Sequence, residues 1–161
     1  MSFIFTSYFE RFPDFDHRPR HSIRVEFNRL AKTQEWGREE TKRERANCYN
    51  EELEGHFRRL GITDQLERLK HLCEELDIKP RRTIAGCRKI LKRTHVYLVD
   101  LMDARRADKK VEKFKTYKEL KEYTLDTEKF YPLKRAKGET IEVLLREINK
   151  SEEKAGLGGY H

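Results

Sequence analysis

The chain of 161 residues is poor in most of the residues that mark a specialised class of protein. It has three cysteines, at 48, 73 and 87, an odd number with no Cys-x-x-Cys pair. That argues against a disulfide framework, so the thiols read as reduced, small core residues. No apolar run approaches the roughly 18 residues of a membrane span, so no membrane partner is expected. Glu10 and Arg11 interrupt the aromatic start before any small-residue cleavage pattern, and no signal peptide is read. The expectation is an intracellular protein of the cytoplasm or nucleus. A nucleophile elbow, a phosphate loop and internal repeats are missing as well.

Charge is what the chain has in quantity. Charged residues make up 40%, against about 25% in an average domain, and mean hydropathy is −0.97. The core must be thin, with most elements solvated on one face. The length suits one domain of the usual roughly 100–200 residues. The net charge is +7 and the isoelectric point lies near 9.3.

Residues 1–19 hold Phe3, Phe5, Phe9, Phe12 and Phe15 with Tyr8, broken by Pro13 and Pro19. This composition suits an irregular aromatic arm packed across a helical body, since each ring buries a large area. A platform for stacking single-stranded nucleic acid uses the same residues, but the arm has few cations to hold a phosphate backbone beside the rings.

Helical periodicity follows. Ile23, Phe27, Leu30 and Ala31 form a first stripe after a Ser22 cap, with an end near Trp36-Gly37. Ala46, Tyr49, Leu53, Phe57 and Leu60 form a second, closed by Gly61. Leu66, Leu69, Leu72, Cys73 and Leu76 form a third, with Asp64 and Glu67 spaced as a capping box. Ile84, Cys87, Ile90 and Leu91 mark a fourth. Val96 to Met102 is apolar on most sides, and helix is preferred to strand there because no partner strand is visible. Thr116 and Glu119 cap a short helix carrying Leu120 and Tyr123, Tyr131-Pro132 breaks the chain, and Ile141, Leu144, Leu145 and Ile148 make the last helix. The expected architecture is a compact, all-α single-domain bundle of six to seven helices: an arm at 1–19, a helical domain at 20–150 and a flexible tail at 151–161.

The functional lead is positional. Lys79, Arg81, Arg82, Arg88, Lys89, Lys92 and Arg93 fall within one segment that has no acidic residue and carries as much positive charge as the whole chain has in excess. On a helical wheel Arg81, Arg82, Arg88, Lys89, Lys92 and Arg93 oppose Ile84, Cys87, Ile90 and Leu91. With the preceding helix, residues 64–94 resemble a helix-turn-helix whose second helix bears the cations. Clustered cations neutralise phosphates and release counterions. The alternative is a solvated helix whose long stems cover apolar surface. The turn lacks the usual glycine, and no Asn or Gln is present to read bases.

Other constellations favour structural roles. His71-x-Cys73 and His17-x-x-x-His21 are the close metal-ligand pairs, and neither completes a four-ligand zinc spacing, so no metal or other cofactor is expected. Asp100, Asp103 and His95 sit by the most apolar stretch, as buried acid–base groups do, yet the two aspartates can share a polar face and pair with Arg105, Arg106 or neighbouring helices. No catalytic residue is assigned.

The order of Phe15-Asp16-His17-Arg18-Pro19, Glu26-Phe27-Asn28-Arg29-Leu30, Trp36, Leu72-Cys73, Cys87 to Leu91, His95 to Leu101, Tyr123-Thr124 and Lys129-Phe130-Tyr131-Pro132 resembles a group of small intracellular proteins of filamentous fungi. The resemblance spans roughly residues 9–149. It implies a fungal, non-secreted helical protein and gives no residue a role. The expected function is a non-enzymatic macromolecular interaction protein with a protein or nucleic-acid partner. The alternative within that expectation is nucleic-acid binding through the basic segment.

Overall fold

The computed structural model describes residues 7–127 and Leu144. Within them the chain is helical: α1 Ile23–Thr33, α2 Arg38–Arg59, α3 Gln65–Glu75, α4 Ile84–Lys92, α5 Leu98–Ala107 and α6 Tyr117–Thr127, preceded by a 3-10 turn at Tyr8–Arg11. Two residue pairs, β1 His95–Val96 and β2 Lys113–Phe114, form an antiparallel ladder that joins His95 to Phe114 and Val96 to Lys113. No described helix is long and apolar enough to cross a membrane. The expected break at Tyr131-Pro132, all of the final helix except the buried Leu144, and the tail at 151–161 lie outside the described residues.

The helix starts follow local chemistry. Ser22, Asp64 and Thr83 cap α1, α3 and α4 by accepting from Val25, Glu67 and Gly86 amides, and Thr116 accepts from Glu119 at the start of α6. The ends depart from the sequence reading. Gly37 does not stop α1; it is the N-cap residue of α2. The left-handed residue that ends α1 is Glu35, with Trp36 N–H bonding Ala31 O and Glu35 N–H bonding Lys32 O. This is a Schellman closure, and Gly61 after α2 and Asp77 after α3 repeat it. Asp108 takes the same left-handed conformation at the end of α5. Carboxylate side chains thus occupy positions where glycine is the usual signal.

One core links these elements. α1 contributes Ile23, Phe27 and Leu30, α2 contributes Cys48, Tyr49, Leu53 and Phe57, and α3 contributes Leu69, Leu72 and Cys73. Val96, Tyr97, Leu98, Val99, Leu101 and Met102 are all buried, as expected of a central segment. Its first residue, Val96, pairs as strand together with His95 rather than as helix, because Lys113–Phe114 supplies a partner too short for periodicity to reveal. Leu60 and Ile84, read as stripe residues, are 52% and 38% exposed because each lies at a helix end that turns away from the core.

The aromatic segment goes deeper than an outer layer. Tyr8 and Phe9 are buried, Phe9 meets Tyr8 edge-on and stacks on His17 at 4.0 Å, and Phe12 meets Trp36. Polar contacts with α2 fix it: Tyr8 Oη donates to Glu44 (2.6 Å), Ser7 Oγ to Glu52 (3.0 Å), and Arg11 pairs with Glu51. Since Phe9 is core, Phe9→Ala is expected to cost about 3–5 kcal/mol in urea unfolding; a loss under about 1 kcal/mol would remove it from the core. Gly61, at φ +74° with open space around its Cβ position, isolates backbone strain. Gly61→Ala should cost about 1–2 kcal/mol, and Glu35→Gly should shift stability the other way.

Candidate functional site

The α4 region is built by close backbone approach. A Cβ on Gly86 would lie 2.9 Å from Arg81 Cβ and 3.0 Å from Thr83 Oγ1, so glycine lets residues 81–83 fold back on the first turn of α4. Cys87 Sγ donates to Arg81 O at 3.4 Å and ties the same segment from the buried side. Beneath lie Cys87 and Leu91, both fully buried, and Cys73 of α3 hydrogen-bonds Cys87. α3 and α4 pack on each other more extensively than any other pair of described elements. The cysteines are all buried free thiols, and burial raises the pKa of Cys48 and pushes that of Cys73 up to about 12.

The predicted cations divide over this scaffold. Lys79, Arg81, Arg82, Lys89 and Arg93 are exposed and form no ion pair among the described residues. Arg88 and Lys92 are half-buried, and Arg88 has an interaction of its own. The exposed set is therefore narrower than a full helical face and extends into the preceding loop. That loop runs from Leu76 to Thr83, longer than the three or four residues of a helix-turn-helix. The pair is a helical hairpin with a basic edge, joined by this longer loop.

Sequence periodicity missed a second, polar constellation, where α2, α3, α5 and the N-terminal segment meet. Arg105 Nε and Nη2 donate to Glu75 Oε2 and Oε1 at 2.7 and 2.8 Å, while Nη1 donates to Leu53 O at 2.9 Å. His56 Nε2 and His71 Nε2 stand 3.2 Å apart beside the same carboxylate. Burial, then the positive charges of Arg105 and the other neighbours, pushes the His56 pKa down to about 3. A cleft of about 370 Å³ opens between His56, His71, Glu75 and Arg105, and a second of about 200 Å³ lies beyond His56, between Glu52, Arg59, Arg106 and His17.

Neither a family model, nor a curated protein, nor a solved structure matches this chain. Its chemistry is read from the geometry. Asp100, Asp103 and His95 do not assemble. Asp100 accepts from Tyr123 of α6, Asp103 Oδ1 accepts from Ile23 N–H at 2.8 Å, and His95 turns toward the Tyr117 ring. None of the three lines either cleft. The aspartates tie α5 to neighbouring helices, the role expected of them. Of the metal-ligand pairs seen in sequence, His71 joins His56 and Glu75 rather than Cys73, which is buried toward α4. The signal available in sequence was His71 and Glu75 at four-residue spacing; His56, fifteen positions before His71, has no local relation to them.

Arg106 organises the other side. Its Nε donates to His21 O (2.6 Å) and its Nη2 to Arg18 O (3.1 Å) and His17 Nε2 (2.8 Å). Accepting that bond requires a neutral ring at Nε2. Burial, then the charges of Arg106 and Arg29, opposed by Glu26, lowers the His17 pKa to about 4. Glu26 is itself fully buried: burial raises its pKa, but Arg29 and the Arg18 amide together hold it below the usual carboxylate range. An unfolded His17 takes up its proton near pH 6.5, whereas the folded ring resists until about pH 4. This contribution to stability is full above pH 6.5 and is lost as the pH falls toward 4. His17→Asn should therefore show a smaller drop in urea midpoint between pH 7.5 and 5 than the parent chain. An identical drop would place the His17 ring in ordinary solvent.

Proposed function

We propose that the protein is a non-enzymatic interaction protein whose partner is a nucleic acid, held by its phosphate backbone on the basic edge of the α3–α4 hairpin. The observation that carries this reading is the exposed set Lys79, Arg81, Arg82, Lys89 and Arg93, without an ion pair among the described residues, in a segment with no acidic residue. Five arginines elsewhere are drawn into carboxylates, Arg11 to Glu51, Arg29 to Glu26, Arg43 to Glu40, Arg59 to Glu52 and Arg105 to Glu75, and exposed ones such as Arg24 and Arg38 do not share one acid-free segment. Concentrated, uncompensated charge on a rigid support suits counterion release.

The same geometry favours backbone contact over base reading. The long Leu76–Thr83 loop differs from the turn that aims a recognition helix into the major groove. Arg side chains can reach guanine, but no Asn or Gln stands beside them for adenine. Stacking on the aromatic segment is disfavoured, since Tyr8 and Phe9 are buried. Contact through phosphates predicts weak dependence on sequence and strong dependence on salt.

The test is a salt titration of the full chain against duplex DNA, single-stranded DNA and RNA, repeated with Arg81, Arg82, Lys89 and Arg93 all changed to Gln. Affinity for duplex should fall linearly in log salt, and the slope of the variant should be shallower by up to about 0.9 for each contact removed. Equal slopes would overturn the assignment of the site, and absence of binding to all three would overturn the assignment of the partner.

A further inference from the structure

His71 and Glu75 are four residues apart on α3, so both side chains leave the same face of the helix. The connection Leu60–Asp64 folds α3 back beside the end of α2, and His56 in the last turn of α2 meets them there. His56 Nε2 lies 3.2 Å from His71 Nε2 and 3.7 Å from Glu75 Oε2, and His71 Nε2 lies 3.6 Å from Glu75 Oε1. Two nitrogens bonded to one tetrahedral zinc at about 2.0–2.1 Å stand about 3.3–3.4 Å apart. One donor atom from each side chain lies within 4.8 Å of the others. We infer that His56, His71 and Glu75 bind a zinc ion or a similar divalent transition metal, which clasps the end of α2 to α3 and turns its remaining coordination position toward the cleft of about 370 Å³.

The donors suit that class of metal. Two imidazoles and one carboxylate select zinc, cobalt, nickel or copper over calcium and magnesium, which favour oxygen ligands. With both ring protons on Nδ1, the two Nε2 lone pairs can converge on one ion, where the metal-free pair shares a single hydrogen bond.

Arg105 is the apparent objection, because it bonds both oxygens of Glu75. Each carboxylate oxygen has two lone pairs, however, and Arg105 uses one on each. The bond anchors the carboxylate in the manner of the outer hydrogen bonds that orient metal ligands, and Leu53 O steadies Arg105 from behind. The guanidinium charge repels a cation, so the site binds less tightly than the same ligands without it. The donor side chains are only partly exposed, at 19% for His56, 28% for His71 and 16% for Glu75. Little solvent must be displaced, yet an ion can enter through the cleft.

The experiment titrates the full chain with Co²⁺ at neutral pH and follows the visible d–d absorption, then displaces the cobalt with Zn²⁺. The expected result is saturation at one ion per chain with a spectrum of low coordination number, and a thermal midpoint that rises with zinc concentration because the ion binds the folded state. His71→Ala and Glu75→Gln should each weaken binding by at least about ten-fold, while His21→Ala, on an exposed residue outside the cluster, should leave it unchanged. Circular dichroism establishes which variants fold. Failure of the parent chain to bind cobalt stoichiometrically overturns the inference. So does a folded His71→Ala or Glu75→Gln variant with the parent's affinity and spectrum, which would place the ion elsewhere.

Discussion

The architecture depends on two consecutive arginines at the end of α5. Arg105 and Arg106 are about 100° apart around the helix, so they reach in different directions. Arg105 joins α3 through Glu75 and α2 through the Leu53 carbonyl; Arg106 joins the N-terminal segment through the Arg18 and His21 carbonyls and the His17 ring. Glu52 of α2, 3.8 Å from Arg106 and 3.3 Å from Arg59, completes the seam. Such part-buried pairs stabilise little relative to apolar packing, but breaking one leaves a poorly solvated charge without its partner. Their effect is to fix which surfaces meet. In a chain with 40% charged residues, apolar matching alone would leave several arrangements of the helices close in energy.

What was legible in the sequence was what is local. The stripes of α1 and α3 and the Ser22, Asp64 and Thr116 caps are statements about residues three or four apart, and the structure bears them out. The cations between Lys79 and Arg93 could be seen because they are contiguous. Helix ends were harder to read, since Glu35, Asp77 and Asp108 take the left-handed conformation that glycine usually announces, while Gly37 begins a helix. Leu60 and Ile84 match their periodic patterns but sit at helix ends, where the next turn of packing is missing. The His56, His71 and Glu75 cluster needed the α2–α3 turn in three dimensions before its members could be neighbours.

The two candidate sites rest on opposite faces of the same hairpin logic. On α3, His71 and Glu75 look toward α2, whereas Cys73 looks toward Cys87 and the basic helix. α3 therefore serves as the common wall. Gly86 and the Cys87 thiol hold the Arg81 backbone against α4, so the loop that carries Arg81 and Arg82 is fixed to the helix that carries Lys89.

The amide of Ile23, at the start of α1, is bonded by Asp103, eighty positions later in the chain. Arg106 likewise secures the backbone at Arg18 and His21. Tyr8, Ser7 and Arg11 are held by α2, whereas the backbone from Arg18 to Ile23 is held by α5. The start of α1 is thus closed by contacts 80 to 88 positions apart in the chain, the kind whose loop-closure entropy must be met before the contact repays it.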